Sequence, residues 1–393
     1  MNSAAVLAAF ALNGLLQGSW AARVPALATQ VHAGPGGLGL ALLGTPIGLI
    51  LAAPFTGRLC VAFGSRRVVL ISSIVASLAL PLLGLVHTIP LLAGSLLLLG
   101  ASAGMLDVSM NIPAVALVRQ LDRPLMPVFH AAYSFGGLAG ALGASLAARV
   151  DWSPIHQFLL VSSVGIVAMA ALGWAVPGAR PAPSSGGRRR PSIAPFRRPV
   201  LWLLAVIVLC SAIGEGASSD WSALFLVRER GLAQATAATG FAAFSIAMAV
   251  TRLTGERWER RWGSYRVVAC GGILAALGFF AAALIPVWFA GYLGFVLVGI
   301  GLAFAFPVTL GLAGVAGHRL DGSGGEHEIG FVTTIAYGGF LAGPPVIGFI
   351  AQATNLAVAI GLVGLVVAAM LPVALAAQRS LGREVAKVTA STH

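Results

Sequence analysis

The chain has 393 residues, 58% of them hydrophobic and 9% charged, with a mean hydropathy of +0.93 and a formal net charge of +12. Soluble domains carry roughly 25% charged residues, so this composition excludes one and points to a lipid bilayer as the solvent. Nucleic acid is excluded as a partner too, because the basic residues punctuate apolar runs instead of clustering on a polar face.

A spanning helix takes about 20 apolar residues, so the length accommodates about twelve spans with short connections, an all-α integral membrane fold. Span 1 is expected over Ala4–Ala22. Ala26-Leu27-Ala28 resembles a signal-peptidase site, but no positive residue precedes the apolar run, which reads better as a retained span. Asn13, Gln17 and Trp20 share one face of it, with Arg23 and Pro25 at its far end. Span 2 is expected over Leu38–Leu59, followed by a basic turn carrying Gly57, Gly64, Arg66 and Arg67. Span 3 covers Val68–Leu85 and span 4 Ile89–Pro113, with a charged loop over Arg119–Pro127. Span 5 starts near Val128, carries His130, Tyr133 and Ser134, and continues through Gly136, Gly137, Gly140 and Gly143, whose spacing suits close helix approach. Span 6 covers Pro154–Val176.

Residues 177–199, rich in Pro, Ser, Gly and Arg, read as a flexible basic linker between a first half, 1–176, and a second, 200–377, with a tail at 378–393. In the second half, spans 7 to 12 are expected over Leu201–Leu226, Ala233–Leu253, Val267–Ile285, Trp288–Val315, Ile329–Ala351 and Leu356–Ala376. The basic turn has an echo here, with Gly255, Arg261 and Gly263, and the Tyr133 to Gly140 stretch has one in Tyr337 to Gly343. Of the 24 basic residues, only Arg23, Arg149, Arg228 and Arg230 fall opposite the side holding both termini and the linker, which makes the latter side cytoplasmic. Arg greatly outnumbers Lys, with Lys387 the sole lysine, and Ala and Gly abound. That usage suggests a bacterial chain, and so the bacterial cytoplasmic (inner) membrane.

Cys60, Cys210 and Cys270 have neither an even count nor metal-ligand spacing, so no disulfide framework, metal site or cofactor is expected. No His cluster, nucleophile elbow or phosphate-cradling loop points to an enzyme. The costly residues are acids in apolar runs. Asp107, in Gly104–Pro113 with Asn111 one turn on, and Glu215 and Asp220 in span 7 are three of the chain's 12 acidic residues. An ionisable group at membrane depth costs at least about 2.5–3.5 kcal/mol, so its default reading is functional. A carboxyl group withdrawn from water exchanges its proton nearer neutrality, which makes these the proton candidates. For Asp107 a structural hydrogen bond stays open as an alternative, and for Asp220 a rim ion pair, with Arg23 as a partner at similar depth. Gly214 and Gly216 flank Glu215, which suggests a helix that can bend or unwind there, with Ser219 on the same face.

Gly57-x-Leu59 followed by Phe63-Gly64-x-Arg66-Arg67 resembles the signature loop of the major facilitator superfamily, although Val61 and Ala62 replace its usual Asp and basic residue. The resemblance extends to two six-helix halves over the whole chain. Within that superfamily Gly104-Met105-Leu106-Asp107, with Asn111 and Pro113, is similar to span 4 of fucose-permease-like sugar:proton symporters and their uncharacterised bacterial relatives; the span-1 Asp of those permeases is replaced by Ala21. The resemblance implies a monomeric secondary transporter working by alternating access. It implies a small polar organic solute, such as a sugar or related metabolite, moved in symport with protons; a proton-driven exporter of drugs or metabolites is the alternative. Proton coupling then falls to Asp107, Glu215 and Asp220. Substrate contacts fall to Gln17, Trp20, Arg23, Asn111, His130, Tyr133, Ser219, Phe304 and Tyr337, and gating to the two basic turns.

Overall fold

The computed structural model describes residues 3–121, 125–178, 198–321 and 326–391, so all but the ends of the expected linker lie outside the described residues. Twelve helices among them are long and apolar enough to cross a membrane: Ser3–Ala21, Pro35–Phe63, Ser65–Leu85, Ile89–Val118, Val128–Arg149, Pro154–Ala175, Pro199–Arg230, Gln234–Arg252, Ser264–Leu284, Trp288–Ala316, His327–Ala353 and Leu356–Arg383. These are spans 1 to 12.

Several boundaries differ from expectation. The helix of span 4 continues through Pro113 to Leu121 rather than stopping there. A proline inside a membrane helix costs less than in water, because neighbouring groups re-satisfy the freed carbonyl. Span 10 is interrupted instead, running as Trp288–Leu302 and then Ala305–Asp321. Two short helices, Val24–Gln30 and Gly255–Trp262, occupy stretches expected as loop and turn.

The described residues form two compact units. The first draws on Met1–Ser185, Ser219–Ile246 and Pro344–Leu356, and the second on Gly186–Ser218, Ala247–Gly343 and Ala357–His393. Backbone proximity through small residues holds each together, since lipid supplies no hydrophobic drive between helices. In the first unit a Cβ on Gly14 would meet the Tyr133 carbonyl, one on Gly18 the Gly137 carbonyl and one on Gly136 the Ala11 carbonyl, so spans 1 and 5 are in backbone contact. Spans 2 and 4 meet likewise through Gly48 and Gly100. In the second unit Gly339 of span 11 packs on the Leu209 carbonyl of span 7, and spans 9 and 10 meet at Gly271 with Gly301 and Gly278 with Gly294.

The internal repeat also shows in the backbone. Gly64 and Gly263, at the ends of the two basic turns, share φ +81°, with ψ 146° and 151°. That conformation is essentially restricted to glycine.

Candidate functional site

Among the described residues, both units carry polar groups inside their spans. In the second, Glu215 accepts from the Ser211 hydroxyl at 3.5 Å and pairs with Arg252 Nη2 at 3.6 Å. Arg252 ends span 8, and its Nε donates to the carbonyl of Ala303 at 3.1 Å, at the interruption of span 10. One guanidinium therefore joins a carboxylate on span 7 to the broken backbone of span 10. Phe304, the next residue in that break, lies with its ring against Gly255, where a Cβ would come within 2.7 Å of it. Packing against a turn residue is thus its task here.

Span 7 is an unbroken helix, Pro199–Arg230, and does not unwind at Glu215. Gly214 and Gly216 admit neighbours instead. A Cβ on Gly214 would lie 2.8 Å from Leu302 and 3.0 Å from Val367, and one on Gly216 would lie 3.6 Å from Phe340.

In the first unit, the Asp107 side chain is exposed and takes no hydrogen bond or ion pair among the described residues. Asn111 Nδ2 donates to the backbone carbonyl of Asp107 at 2.7 Å, not to its carboxylate. Span 4 approaches span 2 beside this pair, with Gly104 against Leu49. Asp220 is half-buried and has no ion pair among the described residues, which removes the rim salt bridge. Arg23, the partner at similar depth, is 3% exposed and committed elsewhere: Nε donates to Gln157 Oε1 at 2.7 Å, and Nη2 to the Trp152 carbonyl. Burial pulls the Arg23 guanidinium below its ordinary pKa. This arginine ties the end of span 1 to the start of span 6, a scaffolding task in place of the expected substrate contact.

Other candidates divide similarly. Trp20 is 2% exposed and donates to Gln17 Oε1 at 3.2 Å, so it offers no face on which a solute could stack. The exposed His130 ring meets Phe10 edge-on at 5.4 Å, and its carbonyl accepts from Ser134. Tyr133 and Ser219 are half-buried, and Tyr337 is exposed. The first basic turn serves as a structural joint: Arg66 Nε donates to the Val176 carbonyl at 2.6 Å and the Ser65 hydroxyl to the Pro177 carbonyl at 3.3 Å, while Gly57 and Arg67 are exposed and Gly64 is half-buried. In the echo Arg261 is exposed, and Glu259 accepts from the Ser264 hydroxyl at 2.7 Å.

Sequence reasoning misses two groups. In the sequence, Arg252 is only one more positive charge setting topology. Glu328, 4% exposed and paired with Arg198 at 3.5 Å, is a further acid inside a span, hidden because span 11 starts earlier than its apolar run.

Known proteins supply the remaining context. The sequence profile of the Major Facilitator Superfamily matches residues 5–320. An uncharacterised MFS-type transporter of Yersinia pestis is 36% identical over 91% of both chains. An uncharacterised transporter of Sinorhizobium fredii is 34% identical over 94% of this chain and 97% of its own. The membrane protein MosC of Rhizobium meliloti is 30% identical over 90% and 84%. Among solved structures, the fold is similar to that of the nucleoside transporter NupG, with a TM-score of 0.80 at 14% identity over 96% of this chain and 98% of that one. It is also similar to that of a bacterial homologue of the human lysosomal transporter Spinster in an inward-facing conformation, with a TM-score of 0.71 at 13% identity over 96% of each chain. A twelve-span fold with this coverage by family profile and relatives identifies the chain as a membrane transporter, not an enzyme, belonging to the Major Facilitator Superfamily.

Proposed function

We propose that this transporter carries a small polar organic solute, of the sugar or related metabolite class, in symport with protons. The observation that supports it is the link from Glu215 through Arg252 to the Ala303 carbonyl. Protonation of Glu215 neutralises the carboxylate, frees Arg252 from its ion pair and alters the restraint on the break in span 10. A charge change thereby becomes a backbone change, which ion coupling requires. Asp107, exposed and without an ion-pair partner among the described residues, is the second proton candidate, with Asn111 beside it for polar contacts to the solute.

An even number of spans leaves both termini on one side, and the distribution of arginines favours the cytoplasmic side of a bacterial inner membrane. The protein works as a monomer by alternating access. NupG is a nucleoside transporter, which adds nucleosides to the solutes worth testing.

A thermal-shift screen of the purified protein against sugars, nucleosides, amino acids and antibiotics identifies the solute. Uptake of that solute into proteoliposomes is then driven by an inward proton gradient. Glu215→Gln abolishes gradient-driven accumulation while solute exchange persists. Undiminished accumulation in both Glu215→Gln and Asp107→Asn refutes the coupling assignment, and increased antibiotic tolerance of an overexpressing strain would show an exporter instead.

A further inference from the structure

The short helix Gly255–Trp262, of sequence GERWERRW, has no counterpart in the first half, where the helix of span 2 runs unbroken from Gly44 to Phe63 and reaches the equivalent glycine directly. In the second half the helix of span 8 stops at Arg252, and a separate eight-residue helix leads to Gly263 and span 9. At 1.5 Å per residue it is about 12 Å long, and both of its ends are tied to the ends of membrane spans. It therefore lies at the bilayer boundary.

Its residues suit that place. Trp258 and Trp262, one turn apart, are 41% and 43% exposed and meet edge-on at 4.8 Å. The Trp258 indole N–H is satisfied internally by Thr254 Oγ1 at 3.1 Å, so Trp258 presents mainly ring surface. Leu253, just before the helix, is exposed as well. At 100° per residue, positions 257, 260 and 261 form an arc adjacent to that of the tryptophans, while Glu259 falls on the remaining arc. Arg257, Arg260 and Arg261 are exposed, as is Arg266 in the first turn of span 9. Glu259 is engaged by Ser264, and Gly255 faces Phe304, so the remaining sides of the helix are used within the protein.

We propose that Gly255–Trp262 is an interfacial docking helix that binds anionic phospholipids, with Trp258 and Trp262 seated at the glycerol level and Arg257 and Arg261 on the headgroup phosphates. Aromatic rings favour the interface, and each basic residue near an anionic surface adds about fivefold to its affinity. Charge complementarity selects phosphatidylglycerol or cardiolipin over zwitterionic lipid.

The test uses the full chain reconstituted in vesicles of phosphatidylcholine and phosphatidylglycerol in equal amounts, with bromine near the headgroup end of the acyl chains of one lipid or the other. Tryptophan fluorescence is compared between wild type and Trp258→Phe/Trp262→Phe, and the difference isolates these two rings. Quenching of that difference signal is expected to be greater from brominated phosphatidylglycerol than from brominated phosphatidylcholine, and the excess disappears in Arg257→Gln/Arg261→Gln. In detergent, the same double arginine variant weakens cardiolipin binding about thirtyfold. Equal quenching by the two lipids, or an excess that survives loss of the arginines, overturns the proposal. Circular dichroism of each variant distinguishes a lost lipid contact from a lost fold.

Discussion

Arg252 has two partners in the same unit, and their contributions can be separated by substitution. At 3.6 Å from Glu215, the gross attraction of the pair is about 4–5 kcal/mol for an effective dielectric near 20. With 45% of the Arg252 side chain and 19% of the Glu215 side chain exposed, solvent screening reduces the net value to about 1 kcal/mol. The second partner adds more. Ala303 is fully buried, and removing the donor to its carbonyl leaves an unsatisfied acceptor that costs roughly 1–3 kcal/mol. Glu215→Gln should therefore cost about 1 kcal/mol or less, and Arg252→Ala about 2–4 kcal/mol. Arg252→Lys should fall between them, because a lysine keeps the charge and lacks the Nε donor. At roughly 2–4 °C per kcal/mol, the two outer variants differ by several degrees in unfolding midpoint. A thiol-reactive dye in a Cys270→Ser background reads that midpoint, because Cys60 and Cys210 are buried and become labelled on unfolding. In the double variant Glu215→Gln/Arg252→Ala, the loss should fall about 1 kcal/mol short of the sum of the singles. Equal midpoints for Glu215→Gln and Arg252→Ala, or strict additivity, would refute the bridging role.

Two further outcomes follow from the first unit. Gly14→Ala forces a methyl group into the Tyr133 carbonyl and should destabilise by about 1–3 kcal/mol, whereas Gly143→Ala, with nothing within 4 Å of its added Cβ, should be neutral or stabilising by up to about 1 kcal/mol; the same dye assay ranks them. Arg23→Ala leaves the buried Gln157 and the Trp152 carbonyl without their donors and should lower the midpoint by several degrees; in transport, it should leave the apparent affinity for the solute unchanged, because Arg23 serves as a tie between spans 1 and 6.

The twelve spans are legible in the sequence because an uncharged apolar run of about 20 residues matches the thickness of the hydrocarbon core and exceeds what a soluble core helix needs. Boundaries are less so, and for identifiable reasons. Pro113 reads as a stop by the rules of soluble helices, yet the chain carries it inside a continuous helix, as it does Pro54 and Pro81. The break in span 10 falls at Ala303 and Phe304, where Pro307 has no N–H to give the Ala303 carbonyl, so its mark stands four residues further on, while the two glycines that flank Glu215 are absorbed by packing. Periodicity cannot resolve Gly255–Trp262 as a helix, since eight residues complete barely two turns and a basic turn accounts for the same letters. The acid positions are visible as anomalies of cost, but their partners are not. Pairing Glu215 with Arg252 requires knowing that the end of span 8 lies beside the middle of span 7, and no local pattern carries that information.

The two halves repeat in backbone and diverge in charge, and the divergence bears on mechanism. Gly64 and Gly263 adopt one conformation, and span 1 meets span 5 through small residues as span 7 meets span 11. Against that shared frame, Arg66 of the first basic turn serves the carbonyl of Val176 at the end of span 6, with no carboxylate partner among the described residues. In the second half Arg252, eleven residues before Gly263 where the first half has Ala53 eleven before Gly64, serves a carbonyl inside a broken span and a carboxylate at once. A donor shared between backbone and carboxylate responds to the protonation of the carboxylate; a donor bound only to backbone does not. If a proton drives this transporter, its first structural consequence should appear in span 10 near Ala303 and Phe304. Hydrogen exchange should then rise in that segment on acidification, while residues 65–70 stay unchanged, and Glu215→Gln should show the raised exchange already at neutral pH.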